Sequence, residues 1–154
     1  MGIKSFQGAR KQQSTVEAAA FRVSDFMTRD LITFKPEQQM EEVIQTLIKH
    51  KISGGPVVNS NNELIGIISE GDCLKDISES RYYNMPMEQH LVENRMVKNV
   101  ETIDGNMNVF DAANKFLESK IRRFPIVEDG KLVGQISQKD ILKAAIQLKG
   151  QNWK

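Results

Sequence analysis

Lys120–Asp140 reads KIRRFPIVEDGKLVGQISQKD: a short apolar strand, a tight turn, a second apolar strand, and a helix opening on Ser137. Phe124-Pro125-Ile126-Val127 runs into the Asp129-Gly130 turn, and Leu132-Val133-Gly134-Gln135-Ile136 returns from it, which is the pattern of a β-hairpin. A near copy lies upstream. Met27 and Met96, Thr33 and Thr102, Lys51-Ile52 and Lys120-Ile121, and Pro56 and Pro125 all stand 69 positions apart (Met96 less Met27). The Asp129-Gly130 turn is one residue shorter than its counterpart, so the separation then becomes 68. It holds for Leu64 and Leu132, Gly66 and Gly134, Ser69 and Ser137, Asp72 and Asp140, and Leu74-Lys75 and Leu142-Lys143. One slip, placed in a turn, is what two copies of one fold tolerate.

Working outward, Leu31–Phe34 reads as a short strand stopped by Pro36. Glu37–Lys49 places Met40, Val43, Ile44, Leu47 and Ile48 at helical spacing, and Val109, Ala112, Ala113, Phe116 and Leu117 repeat that face. Each copy is therefore strand, helix, strand, strand, helix, and the expected class is α+β. A unit of roughly 60 residues has little core of its own, so two β-α-β-β-α repeats should pack sheet to sheet with pseudo-two-fold symmetry. The expected organisation is an N-terminal extension with a short helix (1–22), repeat 1 (23–78), a linker (79–92), repeat 2 (93–148) and a tail (149–154). The linker aromatics Tyr82 and Tyr83, with Met85 and Pro86, are expected to pack between the halves, and Trp153 to be either unstructured or docked on a partner. Met27, Met40, Met96 and Met107 read as core gap-fillers.

Composition narrows the function. With 21 basic and 20 acidic residues the net charge is +1, so no global field argues for nucleic acid or membrane, and any charge-based role has to be local. The single cysteine, Cys73, excludes a disulfide framework or a cysteine-cluster metal site, and a reducing cytoplasm fits best. No apolar run approaches roughly 18 residues. Met1-Gly2 begins like an acylation signal, but Phe6 stands where Ser or Thr is wanted.

The chemistry lies in G-x-x-S-x-x-D, present as Gly66–Asp72 and Gly134–Asp140. A strand ending at a helix N-terminus offers backbone N–H groups and the positive end of the helix dipole, which suits phosphate. The serine hydroxyl can join those donors, and an ionised Asp one turn later can accept from ribose hydroxyls. The same Ser-x-x-Asp also serves as a capping box that ties off the helix.

With both copies of this motif, each preceded by Pro56-Val57-Val58 or Phe124-Pro125-Ile126-Val127, the chain resembles a tandem pair of CBS domains, the cystathionine beta-synthase type, over roughly Val23–Gln147. The resemblance implies a stand-alone Bateman-type regulatory module. Such a module senses adenosine nucleotides of the AMP, ADP or ATP type in clefts between its repeats and signals by conformational or assembly change. Carried over by position, one site would use Asp140 for ribose, Ser137 for phosphate, and Thr102-Ile103 with Phe124-Pro125-Ile126 around the base. The other would use Asp72, Ser69, Thr33-Phe34 and Gly55-Pro56-Val57. Arg122, Arg123 and Lys139 add three cations to the first of these, whereas Ser53, Gly54 and Gly71 stand at their counterparts and Glu70 replaces Gln138. The expectation is that the Asp140 site takes a phosphorylated adenosine ligand and the Asp72 site is empty or takes a less anionic one. Gly54-Gly55 departs from the bulkier residues often found there in the family, and reads either as room for a flat group or as a strained turn.

The resemblance also suggests a homodimer in which helices of two chains pack, with an effector protein that the sequence does not name. No catalytic residue, metal or cofactor is expected: neither His50 nor His90 falls in a ligand pair, and neither Ser-Asp pair has a base. The competing reading is a structural or dimerisation adaptor whose clefts stay empty.

Overall fold

The computed structural model describes residues 21–83 and 90–152. The expectations for the N-terminal helix, for the packing of Tyr82, Tyr83, Met85 and Pro86, and for Trp153 lie outside what is described. The chain forms two compact units. The central unit comprises Asp30–Glu101 with Asp129–Leu132; the terminal unit comprises the chain up to Arg29, Thr102–Glu128 and the chain from Val133.

In the central unit, helix α2 (Met40–His50) leads through β1 (Gly54–Val58) and β2 (Leu64–Ser69) into α3 (Glu70–Tyr83), and a short α4 (Val92–Arg95) follows. Helix α2 buries Met40, Val43 and Leu47 and ends where Lys51 takes a left-handed φ of 55° and donates its N–H to the carbonyls of Ile48 and Leu47. β1 and β2 pair antiparallel, with Pro56 opposite Ile67. Phe34, Met40, Val43, Leu47, Val57, Ile68, Cys73 and Val92 form the core. Burial pushes the Cys73 thiol pKa up, reinforced by the carboxylates of Asp72, Asp76 and Glu70, so Cys73 is a small apolar core residue.

The terminal unit repeats the plan with α1 (Val23–Phe26), α5 (Val109–Ser119), β3 (Arg123–Glu128), β4 (Lys131–Ser137, whose first two residues count with the central unit) and α6 (Gln138–Asn152). Its core includes Val23, Met27, Ile103, Ala112, Phe116, Phe124, Ile126, Ile136, Ala144 and Leu148. Met107 packs against that core and Met96 against the central one, as expected of gap-filling methionines.

The expected first strand of each repeat is shorter than its sequence suggests. It survives as one parallel bridge, Phe34 to Val57 in the central unit and Ile103 to Ile126 in the terminal one. Proline explains this. Phe34 N–H donates to the Pro56 carbonyl and Val58 N–H to the Phe34 carbonyl, both at 2.9 Å. The next rungs would need N–H groups from Pro56 and Pro36, which have none. In the terminal unit Pro125 likewise has no N–H to extend the ladder beyond Ile103.

A second feature was not anticipated. The segment that opens repeat 1 docks in the terminal unit, and the one that opens repeat 2 docks in the central unit. Val23 N–H donates to the Met107 carbonyl (2.8 Å) and Ser24 N–H to that of Gly105 (2.9 Å), while Thr28 and Gln135 exchange a pair of bonds (2.8 and 2.9 Å). At the equivalent positions, Val92 donates to Gln38 (2.9 Å), Glu93 to Pro36 (3.0 Å), and Val97 and Ile67 exchange a pair (2.9 Å each). The shared glycines allow the close approach. A Cβ at Gly134 would lie 2.5 Å from Met27 Sδ, and one at Gly66 would lie 2.6 Å from Met96 Sδ.

Candidate functional site

Each set of carried-over residues falls within a single unit, so each can be built from its own strands and helix. In the central unit Ser69 ends β2 and Asp72 lies in the first turn of α3. Ser69 donates to Asp72 Oδ2 from both its N–H (2.9 Å) and its hydroxyl (3.0 Å), and Asp72 N–H donates back to Ser69 Oγ (3.4 Å). In the terminal unit Ser137 N–H donates to Asp140 Oδ2 (2.9 Å) and Asp140 N–H to Ser137 Oγ (3.2 Å). Both pairs are therefore reciprocal capping boxes.

The copies differ in what the cap leaves over. The Ser69 hydroxyl hydrogen is committed to Asp72, whereas the Ser137 hydroxyl donates to no described residue. Asp140 Oδ1 accepts from no described residue, although its side chain is only half-buried. Arg122, Arg123, Lys139 and Thr102 are exposed, and the three cations make no ion pair with any described residue.

The residues assigned to the base turn their side chains inward. Phe124, Ile103 and Ile126 belong to the terminal core, with the Phe124 and Phe116 rings 4.8 Å apart, and Phe34 and Val57 belong to the central one. What these positions can offer a ligand is backbone: the carbonyls of Pro56 and Pro125 are already taken by Phe34 and Ile103. Thr33 is half-buried.

Gly54 and Gly55 form no strained turn. They open β1 opposite Ser69 and Ile68, and neither has a positive φ. A Cβ at Gly54 would lie 2.6 Å from the Ile68 carbonyl oxygen, and one at Gly55 would lie 2.9 Å from both the Ile32 carbonyl oxygen and Phe34 Cε2. The room left by these glycines is filled by the protein itself.

Sequence reasoning missed a buried polar cluster in the central unit. Asp76 is 5% exposed and is the one buried polar or charged residue among those described. Its carboxylate accepts from Arg95 Nε (2.9 Å) and lies 3.1 Å from His90 Nδ1. Arg95 also pairs with Glu79, and that hydrogen bond is the first cause of a guanidinium pKa pushed above its ordinary value. Ser80 Oγ donates to the Asp76 carbonyl (2.6 Å) and lies 3.1 Å from His90 Nδ1. The signal that would have found it is the repeat register itself. At the same separations, Asp76, His90 and Arg95 correspond to Ala144, Phe21 and Phe26. The described residues contain no group of three or more His, Cys, Asp or Glu side chains able to hold a metal ion. No described helix is long and apolar enough to cross a membrane.

Comparison with known proteins gives this geometry a family. The CBS domain model matches residues 23–79 and again 92–147. The chloroplastic CBS domain-containing protein CBSX1 of Arabidopsis thaliana is 30% identical over 162 residues, which span 88% of this chain and 69% of CBSX1. The crystal structure of CBSX2 in complex with AMP is 31% identical with a TM-score of 0.72, covering 84% of this chain and 98% of that one. Against the whole of CBSX2 the coverage is 65%. The CBS domain pair of protein MJ0100, solved with 5′-methylthioadenosine and S-adenosyl-L-methionine, is 28% identical with a TM-score of 0.66 and covers 83% and 98%. Matched twice by the family model along most of its length, this chain belongs to the CBS domain family.

Proposed function

We propose that the chain is a regulatory module that binds a phosphorylated adenosine ligand through its terminal unit, at Asp140, Ser137, Arg122, Arg123 and Lys139, with the backbone around Thr102-Ile103 and Phe124-Pro125-Ile126 beside the base. The observation that carries this reading is the asymmetry between the two caps. Among the described residues of the terminal unit, a serine hydroxyl and a carboxylate oxygen are unused, and three exposed cations that make no ion pair with any described residue stand near them in sequence. In the central unit the hydroxyl is spent on Asp72, and Glu70 and Gly71 replace Gln138 and Lys139. Phosphate needs donors and cations; ribose needs an acceptor. The likeness to the AMP-bound CBSX2 and to the MJ0100 pair supports an adenosine compound as the ligand. The central-unit set (Thr33, Phe34, Gly55, Pro56, Val57, Ser69, Asp72) is the weaker site.

The module acts in the cytoplasm as a homodimer. The ligand favours one conformation, and an effector protein reads it. Titration calorimetry of the chain and of Asp140→Ala and Asp72→Ala with AMP and ATP tests the assignment, with circular dichroism to verify folding. Asp140→Ala should weaken binding at least tenfold and Asp72→Ala only slightly. Unchanged affinity in Asp140→Ala would remove the site.

One observation favours a second reading, an adaptor with empty clefts: both Ser-Asp pairs are satisfied as caps without any ligand. Saturating nucleotide raises the melting temperature of a binder by mass action. An adaptor would show no shift with AMP, ADP, ATP or S-adenosylmethionine.

A further inference from the structure

The segment that opens repeat 2 is held to the central unit by a charge arrangement that its counterpart in repeat 1 lacks. Asp76, Glu79 and Ser80 stand at i, i+3 and i+4 on one face of α3, and His90 and Arg95 reach that face from either end of the segment that carries α4. Two carboxylates against one guanidinium leave the group with one net negative charge, which the imidazolium form of His90 cancels. The side chains of His90 and Asp76 are only 14% and 7% exposed, so water screens that attraction weakly.

The hydrogen bonds favour the same form. His90 Nδ1 lies 3.2 and 3.1 Å from Oδ1 and Oδ2 of Asp76, both acceptors. Ser80 Oγ gives its hydrogen to the Asp76 carbonyl, so toward the ring it offers lone pairs, 3.1 Å from Nδ1 and 3.4 Å from Nε2. A neutral ring carries a hydrogen on one of these nitrogens, whereas the charged ring carries one on each and matches a surround of acceptors better. The other charged groups on the elements packed here, Lys75 on α3, Glu93 on α4 and Glu41 and Glu42 in the first turn of α2, are exposed. In the terminal unit Phe21, Phe26 and Ala144 take the places of His90, Arg95 and Asp76, and none of them titrates.

We propose that this cluster is a proton-operated clasp: with His90 protonated it fastens residues 90–97 to the central unit, and loss of the proton loosens that segment. The backbone bonds at stake run from Met40 N–H to the His90 carbonyl, from Val92 N–H to that of Gln38 and from Glu93 N–H to that of Pro36. A histidine whose charged form gains a partner on folding titrates above its ordinary value of about 6.5. The fastening is therefore fully present below that value, while Asp76 stays ionised, and is lost as pH rises through the folded value. Each unit of displacement corresponds to about tenfold in how firmly the segment is held. The central unit is thereby the pH-sensitive half of the molecule.

Amide hydrogen exchange of the full chain tests the clasp. After correction for the intrinsic rate, Met40, Val92 and Glu93 should exchange about tenfold faster at pH 8 than at pH 6. Val23, Ser24 and Val109, whose N–H groups hold the lead segment of repeat 1, should show no such difference. His90→Asn keeps a side-chain N–H near the place of Nδ1 but cannot become charged, and it should abolish the pH difference at Met40, Val92 and Glu93. Proton NMR titration of the imidazoles, assigned with His50→Gln, should place His90 above about 6.5. A titration at or below that value, a pH difference that persists in His90→Asn, or one of equal size in both lead segments would each overturn the clasp. If His90→Asn does not fold, the titration of the unsubstituted chain and the comparison of its two lead segments still decide.

Discussion

The two docking sites for the lead segments share a backbone frame and a methionine seated on a glycine, and differ in the side chains that fill the volume beside them. Val109 N–H donates to the Phe21 carbonyl at 3.0 Å in the terminal unit, and Met40 N–H donates to the His90 carbonyl at 2.8 Å in the central one. Around those bonds the terminal unit packs Phe21 and Phe26 against a core that includes Ala144 and Leu148. At the same four positions the central unit places His90, Arg95, Asp76 and Ser80. The fold requires the backbone frame and a filled volume, and two chemistries meet that requirement. The apolar one tolerates the loss of a contact gradually. The polar one depends on completeness, because each buried charge is tolerable only while its partner is present.

That contrast predicts the largest effect. Asp76→Ala removes the carboxylate that both Arg95 and His90 face, taking one carboxylate partner from a guanidinium only 8% exposed. Breaking a buried pair in this way should cost about 3–5 kcal/mol in urea denaturation. A loss under about 1 kcal/mol would mean the cluster is solvated and the contrast empty. The comparison sharpens if the terminal solution is moved across. Asp76→Ala with Ser80→Leu, His90→Phe and Arg95→Phe replaces the cluster by its apolar counterpart and should restore stability to within about 1.5 kcal/mol of the parent.

A second difference lies beside the bridging strands. The central unit has Phe34 and Gly55 where the terminal unit has Ile103 and Phe124, so bulk has moved from one strand to its neighbour. Phe34 is 1% exposed and Phe124 is fully buried. Gly55→Ala should cost about 1–3 kcal/mol, because the new methyl meets both a ring edge and a backbone oxygen at 2.9 Å. Phe34→Ile removes the ring but not the Ile32 carbonyl. A double-mutant cycle should therefore give a coupling of about 0.5–1.5 kcal/mol with part of the penalty remaining. Strict additivity would show that the two positions do not compensate.

The repeat register made the fold legible, because Pro, Gly, Ser and Asp recur at fixed separations and each constrains backbone. The same symmetry hid the exchange of lead segments. Met27 could have faced Gly66 or Gly134 with equal chemistry, and only the folded chain pairs it with Gly134. The short first strands were in principle readable from Pro36 and Pro56, once the ladder is known to be parallel and centred on Phe34. The candidate site was legible as a list of residues and not as a state. Spacing places Ser137 near Asp140, but whether the hydroxyl bonds the carboxylate depends on side-chain geometry, and that bond is made by Ser69 and not by Ser137. The polar cluster was hidden because Asp76, His90 and Arg95 are dispersed along the chain and look like surface charges.

The smallest effect concerns the first turn of α2 and α5, where the copies have Gln39 and Asn108 at the N-cap. Asn108 Oδ1 accepts from Phe110 N–H at 2.7 Å, satisfying one of the donors that a helix N-terminus leaves open. Gln39 has the same extended backbone, with φ −76° and ψ 145°, but makes no side-chain cap. Its Oε1 is buried without a hydrogen-bond partner among the described residues. Gln39, one methylene longer than Asn, thus leaves α2 without a side-chain cap and the central unit with an acceptor unsatisfied among the described residues. Gln39→Asn should correct both and raise stability by about 1 kcal/mol, while Asn108→Ala should lower it by about 1 kcal/mol. Equal and opposite shifts in the urea midpoint, with unchanged slopes, would place the difference in the cap. If Gln39→Asn instead destabilises, the Gln39 side chain is packing rather than stranded, and the two helix starts are separate solutions rather than a better and a worse version of one.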